Sequence, residues 1–382
     1  MDKQVIMNIK EYFETNREEV VLDLLELMNA ESPSDNKEYA DRCCDVLCGI
    51  VEKRLGIKGT RYPVDNHGDH LLFEVGSGKK KLLLIGHYDT VFEVGAKETK
   101  YEGDIITGSG CFDMKYGVIS AIWALKAISD LGLELDKTVH LFFNSDEEVG
   151  SGTSMPIILT NPDQYDAALI LEPSQHGGIK TERKGVGMFE IMVTGIASHS
   201  GTDPEKGVSA IEEAARITTY LHSLTNYETG TMLNVGVIKG GTRRNVIAAE
   251  CYMSLDLRVK SLEESDRIIK EIMNIKPSKE GLSIEVTGGL NRPPFERTEP
   301  NKRLYQDLYG VAQQMDIEAF EVSVGGGSDG NFTSAVGIPT IDGLGPVGDG
   351  AHALSEHIIV SESLERTMLL TGYLVADIKD YR

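Results

Sequence analysis

The sequence predicts an α/β protein with a layered sheet, interrupted by a smaller inserted α+β domain. A short aliphatic run at 81–86 (KLLLIG) is bounded by turn residues, as expected for a strand buried on both faces of a parallel sheet. Strand and helix patterns alternate after it, which is typical of layered α/β folds. Over 184–290 the pattern changes to strands in which apolar and polar residues alternate, as expected when one face of a sheet is exposed to solvent. We therefore expect a first domain built from residues 1–183 and 291–382, and a second domain at 184–290.

The elements of the first domain follow in order along the chain. Residues 4–28 carry apolar positions at helical spacing, which predicts one opening amphipathic helix. The segment 115–130 (KYGVISAIWALKAISD) predicts another helix, with Asp113 near its start. Further strands are expected at 138–144, 167–171 and 338–343.

The inserted domain has its own succession of elements. Its first strand is expected at 185–195, where apolar and polar residues alternate, and a helix is expected at 204–224. The remaining elements are strands at 231–238 and 247–259, a polar helix near 262–274 and a strand at 282–287.

Composition limits the possible partners. The formal net charge of -22 argues against nucleic acid and anionic membranes, because the mean field would repel both. The first residues (MDKQVIMNIK) lack the features of a secretory signal, and no apolar run is long enough to cross a bilayer. We expect a cytoplasmic protein. Three of the five cysteines, Cys43, Cys44 and Cys48, crowd one predicted helix and are interpreted as core residues.

Side chains of metal-binding type follow three of the predicted strands. They are His87 and Asp89 after the first strand, Asp146, Glu147 and Glu148 after the second, and Glu172 after the third. Ligands of open parallel sheets collect at the carboxyl ends of the strands. These side chains should therefore meet at one edge of the sheet.

Each of these residues also has an ordinary structural explanation. Asp113 could cap a helix, the acidic triplet could favour a helix start, His87 could be a core histidine and Glu172 a turn residue. All four coincidences at one edge are less plausible than a metal site. Imidazole and carboxylate groups suit zinc, and two zinc ions can share a bridging carboxylate. In the pair Glu147–Glu148, one side chain can bind metal while the other acts as base, and Asp89 can accept the second N–H of the His87 ring.

Seven segments carry a family resemblance. They are IGHYDTV (85–91), GSGCFDMKYG (108–117), NSDEEVGS (144–151), LEPS (171–174), ASHSG (197–201), GGGSDGN (325–331) and GAHALSE (350–356). Together they resemble the dizinc aminoacylase and carboxypeptidase family, which includes glutamate carboxypeptidases, acetylornithine deacetylases and succinyl-diaminopimelate desuccinylases. The resemblance implies a zinc-peptidase-like layered sheet with a lid and dimerisation domain inserted in it.

The same resemblance assigns the metal ligands. It implies that Asp113 bridges two Zn²⁺ ions, that His87 and Glu172 complete one site, and that Glu148 and His352 complete the other. Glu147 would be the general base. Co²⁺ or Mn²⁺ could use the same ligands, and His357 is an alternative to His352. Many relatives have a second acid after the bridging aspartate, where this chain has Met114.

In the inserted domain, the resemblance implies that His199 reaches the active site of the partner subunit in a homodimer. Asn245 and Arg258 match positions that contact substrate. Arg243 and Arg244 could help Arg258 to bind the substrate carboxylate, or they could lie in a solvated loop. The glycines at 325–327 are expected to let the backbone approach the substrate, with Gly327 among the substrate-contacting residues.

The expected activity is hydrolysis of an amide bond beside a free carboxylate, in a small peptide or an N-acyl amino acid. A glutamate-carboxypeptidase-like enzyme is the first hypothesis, with Glu147, Asp89 and His199 as its catalytic group. An N-acyl amino-acid deacylase of the acetylornithine deacetylase or desuccinylase type is the second. A non-catalytic binding protein on the same fold would have lost a metal ligand or the general base. None of the five expected ligands is missing, and neither is Glu147.

Overall fold

A computed structural model describes residues 1–381. These residues divide into two compact units. The larger unit contains Met1–Glu182, Arg297–Ser323 and residues from 328 onward. The smaller unit contains Arg183–Glu296 and Val324–Gly327, so the segment that includes Gly327 groups with the inserted residues and not with the layered domain.

The helices, in chain order, are α1 (Lys3–Thr15), α2 (Arg17–Asn29), α3 (Lys37–Leu55), α4 (Tyr116–Asp130), α5 (Met155–Ile158), α6 (Ala210–Ser223), α7 (Leu262–Met273), α8 (Glu299–Met315), α9 (Gly330–Ala335) and α10 (Val360–Val375). Among residues 1–381, no helix combines the length and the apolar character that a membrane span requires.

The strands, in chain order, are β1 (Thr60–Tyr62), β2 (His70–Val75), β3 (Lys80–His87), β4 (Lys100–Glu102), β5 (Ile105–Thr107), β6 (Lys137–Asn144), β7 (Ala167–Ile170), β8 (Ile179–Arg183), β9 (Gly185–Thr194), β10 (Ser198–His199), β11 (Met232–Gly240), β12 (Val246–Ile247), β13 (Glu250–Val259), β14 (Ser283–Arg292), β15 (Glu321–Val324), β16 (Thr340–Ile341), β17 (Gly348–Asp349) and β18 (His357–Ile359).

The larger unit is organised around a six-stranded sheet in the order β1-β2-β6-β3-β7-β16. Strands β6, β3, β7 and β16 run parallel, and at one edge β2 pairs antiparallel with β6 and β1 pairs antiparallel with β2. Alternate residues of β3 enter different cores: Leu82 and Leu84 pack with the helices on one face, and Leu83 and Ile85 pack on the other. The α/β fold class is therefore confirmed, and burial on both faces accounts for the unbroken aliphatic run.

The single opening helix was a wrong expectation, because the segment forms two helices, α1 and α2. Asn16 separates them, and both its backbone N–H and its side-chain Nδ2 donate to the carbonyl of Tyr12, at 2.9 and 2.8 Å. An asparagine side chain that competes for a helix carbonyl favours termination. Phe13 and Val20, the buried residues that flank the break, are seven positions apart, so the apolar period continues across it.

The smaller unit has an antiparallel sheet in the order β11-β13-β9-β14. Alternate residues of β9, Phe189, Ile191 and Val193, are buried in a core that also contains residues of α6 and α7. On the other face Met188 and Met192 are exposed. Both helices begin at a serine whose side chain accepts a backbone N–H, Ser209 for α6 and Ser261 for α7, as N-caps do.

Candidate metal centre

The candidate metal centre lies at the carboxyl ends of three parallel strands in the larger unit. His87 is the last residue of β3 and pairs in register with Asn144, the last residue of β6. The turn Glu147–Val149 follows β6, and Glu172 lies two residues beyond the end of β7. The parallel register brings all three strand ends to the same edge.

Asp113 lies at the middle of this group, in the turn Cys111–Lys115 directly before α4, and its own backbone is not helical (φ -115°, ψ 94°). The peptide bond that follows Asp113 is cis. Its two carboxylate oxygens contact different histidines: Oδ1 lies 3.2 Å from His87 Nε2, and Oδ2 lies 3.3 Å from His352 Nε2. One carboxylate between two imidazoles is the arrangement that a bridging ligand requires.

Each histidine also contacts a glutamate. Glu172 Oε1 lies 3.7 Å from His87 Nε2, and Glu148 Oε2 lies 3.0 Å from His352 Nε2. Potential ligand atoms of His87, Asp113 and Glu148 lie within 4.8 Å of one another, and so do those of His87, Glu147 and Glu172. Nitrogen and carboxylate oxygen donors at this spacing suit Zn²⁺, and Co²⁺ or Mn²⁺ can use the same donor types.

The electrostatics of the cluster favour positive charge. Hydrogen bonds with Asp113 and Glu148 raise the pKa of His352 to about 10. Burial alone would lower the pKa of His87, but hydrogen bonds with Asp113 and Asp89 raise it well above its usual range. Burial raises the pKa of Glu148, so the charged form of this carboxylate is disfavoured unless a positive charge lies beside it. The acidic groups therefore stabilise cations placed among them, as a divalent metal site must.

Asp89 connects two of the candidate ligands. Its carbonyl oxygen lies 3.1 Å from His87 Nδ1, and its carboxylate Oδ1 lies 3.4 Å from the same nitrogen. Its Oδ2 accepts hydrogen bonds from Ser34 Oγ at 2.7 Å and from the backbone N–H of Glu148 at 3.3 Å. Asp89 is fully buried, so it fixes the ring of His87 and the backbone of Glu148 together. Sequence reasoning missed Ser34, which lies far from every motif.

Two glycines pack closely against the backbone carbonyl of Leu171, the residue before Glu172. A Cβ on Gly117, in the first turn of α4, would lie 2.0 Å from the carbonyl oxygen of Leu171. A Cβ on Gly345 would lie 2.1 Å from the same oxygen. Only glycine lets the chain approach so closely, and this contact brings α4, which follows Asp113, against the segment that carries Glu172.

Of the two histidines near the end of the chain, His352 joins the cluster. Its backbone has a φ of +63°, in the left-handed region that non-glycine residues rarely adopt and that is often found at functional sites. His357 lies in β18, and its Nδ1 contacts the carbonyl oxygen of Ser355 at 2.9 Å. His352 therefore lies beside two other candidate ligands, and its role as a metal ligand stays a prediction.

The residues expected in the inserted domain lie in the smaller unit. His199 and Asn245 are exposed neighbours, with Asn245 Nδ2 3.4 Å from His199 Nε2. His199 Nδ1 accepts the backbone N–H groups of Gly201 and Thr202, both at 3.1 Å. Since Nδ1 is an acceptor, a neutral ring carries its proton on Nε2, and Asn245 can accept a hydrogen bond from it only with its amide turned so that Oδ1 faces the ring.

The arginines expected to bind the substrate carboxylate have different surroundings. Arg258 lies on β13 and donates to both carboxylate oxygens of Asp256, at 3.0 and 3.1 Å. Arg243 and Arg244 are exposed and line a cavity of about 580 Å³ in the smaller unit. A Cβ at Gly327 would lie 2.7 Å from Cδ of Arg292, so this glycine packs closely against that side chain, and its contact with substrate stays a prediction.

Comparisons with known proteins find similar sequences over most of the chain. The family model described as peptidase family M20/M25/M40 matches residues 83–376. Carboxypeptidase G2 of Pseudomonas sp. (strain RS-16) is 28% identical over 378 residues, which are 95% of this chain and 90% of that protein. Acetylornithine deacetylase of Proteus mirabilis (strain HI4320) is 30% identical over 292 residues, 70% of this chain and 73% of that one.

A similar fold is found among solved structures. The aminopeptidase PepT of Bacillus cereus ATCC 10987 superposes with a TM-score of 0.81 at 22% identity, covering 94% of this chain and 98% of that one. The likeness extends over both units of the chain.

Proposed function

The chain belongs to peptidase family M20/M25/M40, and on that premise we propose that it is a two-metal hydrolase that cleaves an amide bond beside a free carboxylate. His87, Asp113 and Glu172 would hold one metal ion, and Asp113, Glu148 and His352 the other. The observation that carries the proposal is the position of the Asp113 carboxylate between two histidines. Its two oxygens contact His87 and His352 at 3.2 and 3.3 Å.

Divalent metal ions bound there would supply Lewis acidity and lower the pKa of water from about 15.7 to roughly 7. Glu147 would accept the proton of the attacking water and pass it to the departing amine. Its position supports this role, because it is next to Glu148 and its carboxylate lies within 4.8 Å of atoms of His87 and Glu172. Asp89 would keep the His87 ring in orientation.

His199 would donate a hydrogen bond to the oxygen on which negative charge develops. The two backbone N–H groups that point at its Nδ1 support this role, since they leave the Nε2 proton as the donor. Following the family resemblance, we propose that His199 acts on the active site of a partner subunit in a homodimer. A monomer in sedimentation that retains full activity would contradict this arrangement.

The charge of the centre supports an acidic substrate. Three ligand carboxylates (Asp113, Glu148 and Glu172) against two divalent cations leave a charge near +1. This local charge can attract a substrate carboxylate although the whole chain carries -22. Arg258 and Asn245 would then contact that carboxylate, as an arginine fork can.

Similarity to carboxypeptidase G2 over most of the chain supports a carboxypeptidase acting on a small peptide or acyl-glutamate. The second candidate is an N-acyl amino-acid deacylase, which is favoured by the similarity to an acetylornithine deacetylase. Both reactions cleave a secondary amide beside a carboxylate, so the same residues would serve either substrate.

A metal titration combined with a substrate panel tests the proposal. The purified chain should bind two divalent ions, lose activity on dialysis against a chelator and regain it with Zn²⁺, Co²⁺ or Mn²⁺. An acyl-glutamate, a dipeptide ending in another residue and N-acetylornithine should be compared by kcat/KM. A chain that binds two metal ions and hydrolyses none of these amides would contradict the proposed function.

A further inference from the structure

A buried glutamate outside the metal-ligand set binds the loop that carries Asp113. Glu356 is fully buried, and its carboxylate accepts three backbone N–H groups of that loop. Oε2 accepts from Gly110 at 3.1 Å, and Oε1 accepts from Phe112 at 2.9 Å and from Asp113 at 3.0 Å. A carboxylate with three N–H donors is a strong local constraint, because charge-assisted hydrogen bonds are short and strong in a buried setting.

Glu356 also belongs to the loop that carries His352. Its backbone N–H donates to Ala353 at 3.0 Å, and Ala353 donates to Gly350 at 2.9 Å. A Cβ on Gly350, which has a φ of +82°, would lie 2.8 Å from the backbone nitrogen of Glu356. The carbonyl of Glu356 accepts a hydrogen bond from Lys97 Nζ. The loop is therefore compact and held at its end.

We infer that Glu356 is a positioning residue that sets the separation of Asp113 and His352, and through it the affinity for the metal ion that these two would share. Its backbone belongs to one ligand loop and its side chain binds the other. The inference rests on the proposed metal-dependent function. Glu356 itself does not touch substrate or metal in this scheme.

Loss of the carboxylate would leave three N–H groups without their acceptor. In Glu356→Ala the turn from Gly110 to Asp113 would have to move to find other partners. In Glu356→Gln one oxygen remains and can keep the bonds from Phe112 and Asp113, but the amide nitrogen would face the N–H of Gly110. The effect should therefore be graded, with glutamine intermediate between the wild type and alanine.

The test measures metal affinity directly, by competition between the full-length chain and a chromophoric chelator for Zn²⁺. Removal of outer partners of metal ligands typically reduces metal affinity 10- to 100-fold. We expect about this loss in Glu356→Ala at one of the two sites and a smaller loss in Glu356→Gln. The visible absorption of the Co²⁺-loaded chain should change as well, because ligand geometry sets it.

Glu213 offers a matched control. It is a buried carboxylate of the smaller unit that accepts the N–H of Ser278 at 3.0 Å and pairs with Arg216 at 2.7 Å, so Glu213→Gln likewise removes the charge of a buried, hydrogen-bonded carboxylate. This variant should lose thermal stability without any change in metal affinity or Co²⁺ absorption. The control separates a general loss of stability from an effect on the metal centre.

Two results would overturn the inference. Unchanged affinity at both sites in a folded Glu356→Ala or Glu356→Gln chain would overturn it alone, whatever the activity on substrates. A wild-type chain that binds no divalent ion would overturn it together with the proposed function. If the alanine variant does not fold, the glutamine variant decides the matter.

Discussion

The residues assigned to chemistry differ in their surroundings between the two units. In the larger unit His87 and Glu172 are buried and contact each other's side chains. In the smaller unit His199 and Asn245 are exposed, and Arg258 is held by Asp256 on its own strand. Buried strand ends of a parallel sheet impose convergence, whereas an open antiparallel sheet and its loops do not. The larger unit thus brings several candidate ligands into one cluster, whereas the candidate residues of the smaller unit are exposed or paired on their own strand.

Replacement of Glu147 by glutamine tests the proposed general base of the larger unit and should have the largest effect on rate. Loss of a general base typically costs 10²- to 10⁴-fold in rate, so kcat should fall by about that factor while two metal ions remain bound. Metal analysis and steady-state kinetics measure both. Glu148→Gln is the matched neighbour, and it should lose metal. Retained activity in Glu147→Gln would remove the base from this position.

Replacement of His199 by alanine tests the smaller unit. A donor to a developing oxyanion is worth on the order of 3 kcal/mol, so kcat should fall about a hundredfold with the metal content unchanged. His222→Ala, which changes another exposed histidine of the same unit, should leave kcat near the wild-type value. Equal rates in both variants would mean that the smaller unit supplies no donor.

Replacement of Asp89 by asparagine should weaken metal binding 10- to 100-fold, because Asp89 orients a ligand without being one. Chelator competition measures the change. The control is Asp69→Asn, since Asp69 is a buried carboxylate paired with Lys37 and Arg61 at 2.9 and 2.6 Å. If both substitutions alter metal affinity equally, the contact of Asp89 with His87 is not the cause.

The smallest effect concerns the stability of the smaller unit at low pH. A hydrogen bond with Arg216 lowers the pKa of Glu213 below its usual value of 4.5. A lowered folded-state pKa adds stability that is fully present above the unfolded-state value and is lost as pH falls through the folded-state value. Thermal unfolding from pH 6 to pH 3 should therefore show a loss of roughly 2–4 °C that Glu213→Gln lacks. Parallel curves would exclude this contribution.

The sequence predicted the part of the fold that depends on local pattern. The aliphatic runs of β3, β6 and β7 and the acids that follow them were visible because burial on both faces and a polar strand end are both written in consecutive residues. The break at Asn16 was not, since the apolar period continues through it. The strands β1, β4, β5, β17 and β18 have two or three residues each, which is too few for a pattern, whereas the six-residue β2 was long enough and was not predicted.

Glu356 was missed as a contributor to the centre although its segment was noted. An acid that accepts backbone N–H groups from residues 243 to 246 positions away leaves no local signal, because its partners are peptide groups that every sequence contains. The family-like pattern favoured His352 over His357, but the contacts of His352 with Asp113 and Glu148 depend on the three-dimensional path of the loop.

The contact of Gly117 and Gly345 with the carbonyl of Leu171 sets a limit of another kind. On both sides of this oxygen a hydrogen atom stands where every other amino acid has carbon, so even alanine would force α4 or the segment at 345 outward by more than an ångström. Redesign of this enzyme for new substrates therefore has no freedom at these two positions, although neither of them offers a functional group to the reaction.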